Sequence, residues 1–257
     1  MSAFEIAAIV LAGLAAGTIN TIVGSGTLIT FPTLLFFGYA PVTANISNSL
    51  GLVPGGLTGA WGYRHELRSL GPMLRRLAPA SLLGSVTGAL LLLVLPPAAF
   101  EAIVPALIML ALVLVLAGPR LQRWAATTST GRTGQVSTGR WVALLLGVLV
   151  AGMYGGYFGA AQGVLLLGLM SILLPHSLQQ INGIKNVLGM IVNLVAALVF
   201  LVVAPEVVDW TVVLLISCGS LLGGVLGARV GRKMPPALLR GVIVVIGTVA
   251  IVNLLLT

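Results

Sequence analysis

Charge is scarce in this chain, and so are the side chains on which most enzymes and metal sites depend. Only 7% of its 257 residues are charged, 58% are hydrophobic, and it has one cysteine, two histidines and five acidic residues. A water-soluble domain of this size needs a charged surface, so the composition excludes that class. Cys218 alone builds neither an intrachain disulfide nor a multi-cysteine metal site. Without a nucleophile and base pair or a metal constellation, we expect neither enzyme activity nor a cofactor.

What the chain has instead is a succession of long apolar runs. A run of about 20 residues spans the hydrocarbon core of a bilayer. These runs are rich in Leu, Val and Ala and do not alternate like barrel strands, so they satisfy their backbone groups as helices. The predicted fold is an all-α, polytopic transmembrane helical bundle of about ten segments, in which the second and seventh are too short to cross comfortably. The ten segments are 4–23, 28–37, 42–62, 74–95, 103–117, 141–158, 164–174, 181–204, 210–228 and 238–256.

The few charges sort by side of the membrane. The N-terminus and the loops predicted to lie on its side of the membrane carry Glu5, Glu101, Glu206 and Asp209. All cations but one lie, together with Glu66, in three loops predicted to lie on the opposite side. This sorting argues against nucleic-acid binding despite the net charge of +8, and it makes the basic loops cytoplasmic. We predict a multi-pass protein of the bacterial inner membrane with both termini outside; re-entrant short segments would keep the same parity. The cations of the basic loops are Arg64, Arg68, Arg75, Arg76, Arg120, Arg123, Arg132, Arg140, Arg229, Arg232, Lys233 and Arg240.

The order of the segments predicts two repeats of inverted topology. The third segment must run inward, whereas the eighth must run outward. The motifs at 16–17 and 24–26 match those at 151–152 and 159–161, and the motif at 47–51 matches the one at 185–189. We predict a first transmembrane repeat over 1–119, a basic cytoplasmic linker over 120–140 and a second repeat over 141–257. Inverted repeats with broken helices near the midplane are typical of secondary transporters. Chance similarity between apolar, glycine-rich stretches is the alternative.

Glycines cluster in mid-membrane at two places, 20–27 in the first half and 154–163 in the second. Such clusters loosen a helix. A helix that restarts after each break presents unpaired N–H groups and the positive end of its dipole, and both favour an anion. The side chains of Ser25, Thr27 and Gln162 would add hydrogen-bond donors. The alternative is that these glycines only let helices pack closely.

A second polar group opens the third and eighth segments, with Asn45 and Asn48 in one half and Asn182, Lys185 and Asn186 in the other. Lys185 is the one cation outside the basic loops. Burying an ammonium near the bilayer centre costs about 2.5–3.5 kcal/mol, so its presence indicates a water-filled cavity or a bound anion. Alternatively, Lys185 snorkels to the headgroups and the asparagines form interhelical hydrogen bonds.

Over almost its whole length the chain resembles the sulfite exporter TauE/SafE family. The resemblance rests on the motifs at 17–21, 24–32, 44–45 with 47–48, and 152 with 159–163. It implies an inner-membrane permease with duplicated halves that exports or takes up sulfite, thiosulfate, sulfoacetate or another sulfur oxyanion or organosulfonate. The chain departs from the family pattern at Ala161-Gln162-Gly163, where three glycines are expected, and at Thr27, which replaces a common glycine. Gln162 is therefore a candidate for tuning selectivity.

We predict a secondary membrane transporter for a small sulfur-containing anion such as sulfite, thiosulfate or an organosulfonate, working by alternating access between the repeats. An anion channel and a non-transporting assembly subunit are the alternatives. No Walker-type glycine loop is present, so ATP hydrolysis is not expected. The predicted partners are the anionic substrate and the lipid bilayer; a coupling proton or cation and a homo-oligomer stay open. The predicted substrate-binding residues are Asn20, Thr21, Gly24, Ser25, Gly26, Thr27, Asn45, Ser47, Asn48, Gly159, Gln162, Gly163, Asn182, Lys185 and Asn186.

Overall fold

A computed structural model of the chain describes residues 1–129 and 137–230, together with 241, 243–246 and 248. Within these residues the secondary structure is helical throughout, without strands, as the composition predicts. Six helices are long and apolar enough to cross a membrane, and two shorter apolar helices accompany them, so the chain is a polytopic helical membrane protein. The helices are α1 (Ala3–Ile22), α2 (Thr27–Phe36), α3 (Pro41–Gly51), α4 (Val53–Gly62), α5 (Arg64–Leu67), α6 (Gly71–Val94), α7 (Pro97–Ser129), α8 (Thr138–Tyr157), α9 (Gln162–Leu173), α10 (Leu178–Val203) and α11 (Trp210–Val230), with a 3₁₀ turn at Pro205–Val207.

The predicted segments match the helices, with two differences. The segment predicted over 42–62 is two helices, α3 and α4, because Pro54 has no N–H to donate and its ring clashes with the carbonyl four residues before it. The linker predicted over 120–140 is helical at its start, since α7 continues to Ser129 through good helix formers such as Leu and Ala. Residues 130–136 of that linker lie outside the described residues, as does most of the tenth predicted segment, 238–256.

Both predicted breaks are present, after α1 and after α8. Each helix ends in the same way: the N–H of Gly24 donates to the carbonyl of Ile19 at 3.0 Å, and the N–H of Gly159 donates to the carbonyl of Tyr154 at 3.1 Å. Both glycines have positive φ, +90° and +79°, which is the backbone turn that ends a helix and that glycine adopts without a steric penalty. Ala161, just before α9, also has a positive φ of 62°, at a cost of about 1–2 kcal/mol for an L side chain.

Small residues let the long helices pack at backbone distance. A Cβ added to Gly17 of α1 would overlap the carbonyl of Ser220 of α11, and a Cβ added to Gly152 of α8 would lie 2.8 Å from the carbonyl oxygen of Ser81 of α6. Glycine at these positions is therefore a packing requirement, as it is in many transmembrane helix pairs. Helix α1 thus packs against α11, and α8 packs against α6.

An aromatic cluster holds the second break against α2. The ring of Phe31 packs edge-to-face on Phe158, with 5.2 Å between centroids, and on Phe100 of α7 at 6.4 Å. Phe100 in turn packs on Tyr157, the last residue of α8, at 5.6 Å. Edge-to-face pairs add about 0.5–1.5 kcal/mol each beyond the burial of their area. The short helices and the breaks therefore sit on a fixed apolar base.

Candidate functional site

The two breaks meet in direct backbone contact. The N–H of Gly163, at the start of α9, donates to the carbonyl oxygen of Gly24 at 3.0 Å. A Cβ added to either glycine would overlap the backbone of the other. Glycine is therefore needed at both positions, because any larger residue would force the two breaks apart.

A small cavity adjoins this contact. Its volume of about 20 Å³ is space for about one water molecule. Most of the predicted site residues line it, including the pair Gly24 and Gly163, so the fold brings residues of both breaks to one cavity. The lining residues are Asn20, Thr21, Gly24, Thr27, Gly56, Gly159, Gln162, Gly163, Lys185, Asn186, Gly189, Met190 and Asn193.

Gln162 places an unused hydrogen-bond donor at this cavity. Its side chain is only 5% exposed, and its Nε2 has no hydrogen-bond partner among the described residues. The carboxamide occupies the space that a Cβ on Gly155 would take, so the glycine of α8 makes room for it. Leaving a buried donor unpaired costs about 1–3 kcal/mol. A ligand that accepts a hydrogen bond here would recover that energy.

The starts of α2 and α9 provide further donors. The N–H groups of residues 25–27 and of 160–162 make no hydrogen bond to any described residue. Each set lies at the positive end of a helix dipole, where negative charge is stabilised. The hydroxyl of Ser25 is fully buried and also lacks a partner within the described chain. Both helix starts therefore carry hydrogen-bond donors that are unpaired within the described part of the bundle.

Lys185 is buried within the bundle and does not reach the membrane surface. Its side chain is 2% exposed, and its Nζ donates to the backbone carbonyl of Asn20 at 2.9 Å and to that of Thr21 at 3.0 Å. These carbonyls belong to the last turn of α1, the negative end of that helix dipole. The side chain therefore does not snorkel to the lipid headgroups, which was the alternative interpretation of the sequence. An ammonium carries three donors, so one remains for a ligand in the cavity.

Asparagines clamp the ends of both broken helices. On α10, Asn186 donates to the carbonyl of Thr21 in the last turn of α1 at 3.1 Å, and Asn182 donates to Tyr63 Oη at 2.7 Å. On α3, Asn45 donates to the carbonyl of Tyr157, the last residue of α8, at 2.9 Å. Asn186 and Asn45 thus each satisfy a carbonyl at the C-terminal end of a broken helix.

Other predicted site residues hold helices together away from the cavity. The hydroxyl of Ser47 accepts from the N–H of Asp209 at 3.0 Å. Asn48 donates to Thr27 Oγ1 at 3.3 Å and accepts from the hydroxyl of Thr30, so both its nitrogen and its oxygen are used to join α3 to α2. The predicted residues that do not line the cavity are Ser25, Gly26, Asn45, Ser47, Asn48 and Asn182.

The cavity also has lining residues that the sequence analysis missed. They are Gly56 of α4 and, on α10, Gly189, Met190 and Asn193. Asn193 could have been predicted from the sequence, because Asn186, Gly189 and Asn193 lie on one face of a helix within an apolar span. In the part of the chain that the structure describes, no group of three His, Cys, Asp or Glu side chains is placed to hold a metal ion.

Comparisons with known proteins show which family the chain is similar to. The model of the family described as "Sulfite exporter TauE/SafE" matches residues 9–254. The chain is 29% identical over 239 residues to a "Probable membrane transporter protein" of Haemophilus influenzae, covering 91% of this chain and 88% of the relative. It is 26% identical over 245 residues to the "Probable membrane transporter protein YfcA" of Escherichia coli K12, covering 93% of this chain and 86% of the relative. No solved structure matches significantly.

Proposed function

Because the chain belongs to the sulfite exporter TauE/SafE family, we propose that it is a secondary transporter for a small sulfur-containing anion such as sulfite, thiosulfate or an organosulfonate. The resemblance inferred from its motifs is confirmed, and the family is one of membrane transporters. The observation that carries the choice of an anion is the unpaired Nε2 of Gln162, buried at the cavity between the two breaks.

The chemistry of the lining favours an oxyanion. A sulfite or sulfonate group has several oxygens around one sulfur, so it needs several donors that converge. Gln162, the hydroxyl of Thr27, the third N–H of Lys185 and the two helix starts offer such donors, and no lining residue is acidic. Hydrogen bonds to a charged group contribute about 1.5–3 kcal/mol each. Several together offset the cost of removing the anion from water.

The size of the cavity supports alternating access. A space for about one water is too small for a sulfur atom with three oxygens, so the helices around the breaks must move apart to admit the substrate. In the predicted mechanism one repeat rocks against the other around the site. A channel needs a continuous open path, and a cavity of this size favours the carrier over that alternative.

Equivalent contacts in the two halves support the inverted repeat. A Cβ on Gly223 of α11 would overlap the carbonyl of Leu14 of α1, and a Cβ on Gly84 of α6 would overlap the carbonyl of Leu149 of α8. The same pair of contacts therefore joins α1 to α11 and α8 to α6. Chance similarity of glycine-rich stretches gives no reason for such matched contacts.

Charge supports an inner-membrane orientation with the basic loops in the cytoplasm. Glu5 and Asp209 lie near each other at one end of the bundle, where Tyr39 Oη donates to Glu5 at 2.9 Å. Arg64 and Arg229 lie together around a second cavity. The positive-inside rule places that basic end in the cytoplasm and the N-terminus outside.

Flux measurements on purified protein in proteoliposomes test the proposal. Labelled sulfite, thiosulfate and a small sulfonate should enter along an imposed gradient, and at least one of them should show saturation. In Gln162→Met, which keeps the size but removes the donor, we expect a loss of about tenfold or more. Gln162→Glu should lose more, since its carboxylate repels the anion. Gln179→Met, at an exposed position of α10, should transport as the wild type does.

Three outcomes would contradict this function. Flux that never saturates and shows no counterflow would favour a channel. No flux of any of the three anions, with the helical fold intact, would remove the substrate class. Equal flux in wild type and Gln162→Met would show that the anion does not use this cavity.

A further inference from the structure

A second, larger cavity lies at the basic end of the bundle and shares no lining residue with the first. Its volume is about 340 Å³, and it lies between α4 with α5 on one side and α11 on the other. Three of its lining residues carry basic side chains, and none is acidic. The lining residues are Thr58, Trp61, Gly62, Arg64, His65, Val225, Ala228 and Arg229.

Small residues create this groove. A Cβ on Gly62 would overlap Cβ of Ala228, and a Cβ on Gly224 would overlap Oγ1 of Thr58. The two helices therefore touch along a line of small side chains, while the larger side chains stand on either side. The groove is thus a fixed consequence of helix packing and does not depend on a loop conformation.

Arg64 is positioned at the mouth of the groove. Its guanidinium lies 4.0 Å from the centre of the Trp61 ring, and its Nη1 donates to the carbonyl of Trp61 at 3.3 Å. A guanidinium has five N–H donors in a planar fork that fits two oxygens of a phosphate. Arg229, from the last turn of α11, supplies a second guanidinium to the same cavity. Together they provide charge complementarity for a phosphate.

An apolar track leads from this basic mouth along the membrane-facing surface. Leu57 precedes Trp61 by one helical turn on α4, and the two side chains are 50% and 63% exposed. On α11, Leu221 is 43% exposed, its carbonyl accepts from Thr58 Oγ1 at 3.1 Å, and it precedes Val225 of the groove by one helical turn. Tryptophan is enriched where a membrane meets water. A ligand here would contact phosphate-binding groups at one end and apolar side chains at the other.

We propose that this groove binds an anionic phospholipid, with the headgroup phosphate between Arg64 and Arg229 and one acyl chain along Leu57 and Leu221. A water-soluble phosphate would use the same arginines, but it would have no use for the apolar track. Basic pockets between transmembrane helices at the cytoplasmic side are a recurrent setting for lipid headgroups.

Native mass spectrometry of the purified full chain tests the site, with phosphatidylglycerol and phosphatidylcholine as probes. The wild type should retain phosphatidylglycerol and not phosphatidylcholine. Each arginine near a lipid phosphate contributes about fivefold in affinity, so Arg64→Gln with Arg229→Gln should weaken retention by about 25-fold. The matched control is Arg76→Gln, because Arg76 also lies over a tryptophan, Trp141 at 5.4 Å, but does not line this groove.

Two further arms separate a lipid from a free phosphate. Leu221→Gln leaves the charge unchanged and should still weaken retention of phosphatidylglycerol, whereas inorganic phosphate should not compete with the lipid. The proposal is overturned if the double arginine variant, folded by its thermal transition, retains the lipid as the wild type does. It is also overturned if the Arg76→Gln variant loses as much, or if inorganic phosphate displaces the lipid.

Discussion

The N–H of Gly163 donates a 3.0 Å hydrogen bond to the carbonyl of Gly24, and this contact joins the two breaks of the bundle. A Cβ on Gly163 would overlap the backbone of Gly24. Backbone atoms cannot give way like the end of a flexible side chain, so the helices on either side must shift. The contact between the two breaks is consequently intolerant of even a methyl group.

Gly163→Ala should therefore destabilise the fold and abolish transport. Overpacking of this kind costs about 1–3 kcal/mol, and thermal unfolding in detergent should show a lower midpoint. Gly139→Ala is the control, because a Cβ at that helical position meets nothing within 4 Å. An unchanged midpoint and normal flux in Gly163→Ala would mean that the two breaks do not touch in the membrane.

Substitutions at Gly189 should block the cavity without harming the fold. Gly189 lines the cavity, yet a Cβ added there meets nothing within 4 Å. Flux should fall progressively from Gly189→Ala to Gly189→Val as the cavity fills. The free energy of unfolding should stay within about 1 kcal/mol of the wild type, since alanine is a better helix former than glycine. Wild-type flux in Gly189→Val would place the substrate path elsewhere.

Lys185→Met should lower both stability and transport. The lysine satisfies the buried carbonyl of Asn20 and shares that of Thr21 with Asn186. An unpaired buried carbonyl costs about 1–3 kcal/mol, so the unfolding midpoint should fall in detergent. Lys185→Gln, which retains donors, should lose less stability. If Lys185→Met unfolds like the wild type and only flux is lost, the lysine is a ligand for the anion without a structural role.

The contact between Tyr39 and Glu5 should make stability sensitive to alkaline pH. Tyr39 lies in the turn between α2 and α3, where burial, and then its hydrogen bond to Glu5, raise its pKa to about 12. Because the folded pKa lies above the ordinary 10.0, this contribution is complete below pH 10 and is lost as the pH rises towards 12. Between pH 10 and pH 12 the unfolding temperature of Tyr39→Phe should fall less than that of the wild type. An equal loss in both proteins would refute the assignment.

Much of the fold was predictable because its signals are local. The length of an apolar run and the presence of glycines at 24 and 159 depend only on neighbouring residues, so the spans and both breaks were foreseen. Pro54 should have predicted the division of 42–62 into α3 and α4, since its missing N–H is also a local property. The continuation of α7 to Ser129 was missed because Thr, Ser and Arg near 120–129 suggested a loop.

The sequence by itself determined a helical membrane protein with two breaks and polar residues near them. Only the tertiary structure decided which of those residues meet: it turns Asn193 to the cavity, engages Asn48 between two helices and directs Lys185 to the end of α1. The reason is rotation about the helix axis. Lipid is as apolar as the interior of the bundle, so the two faces of a transmembrane helix differ little in polarity. Which face turns inward is therefore decided by close contacts between residues far apart in the chain, such as Gly24 and Gly163.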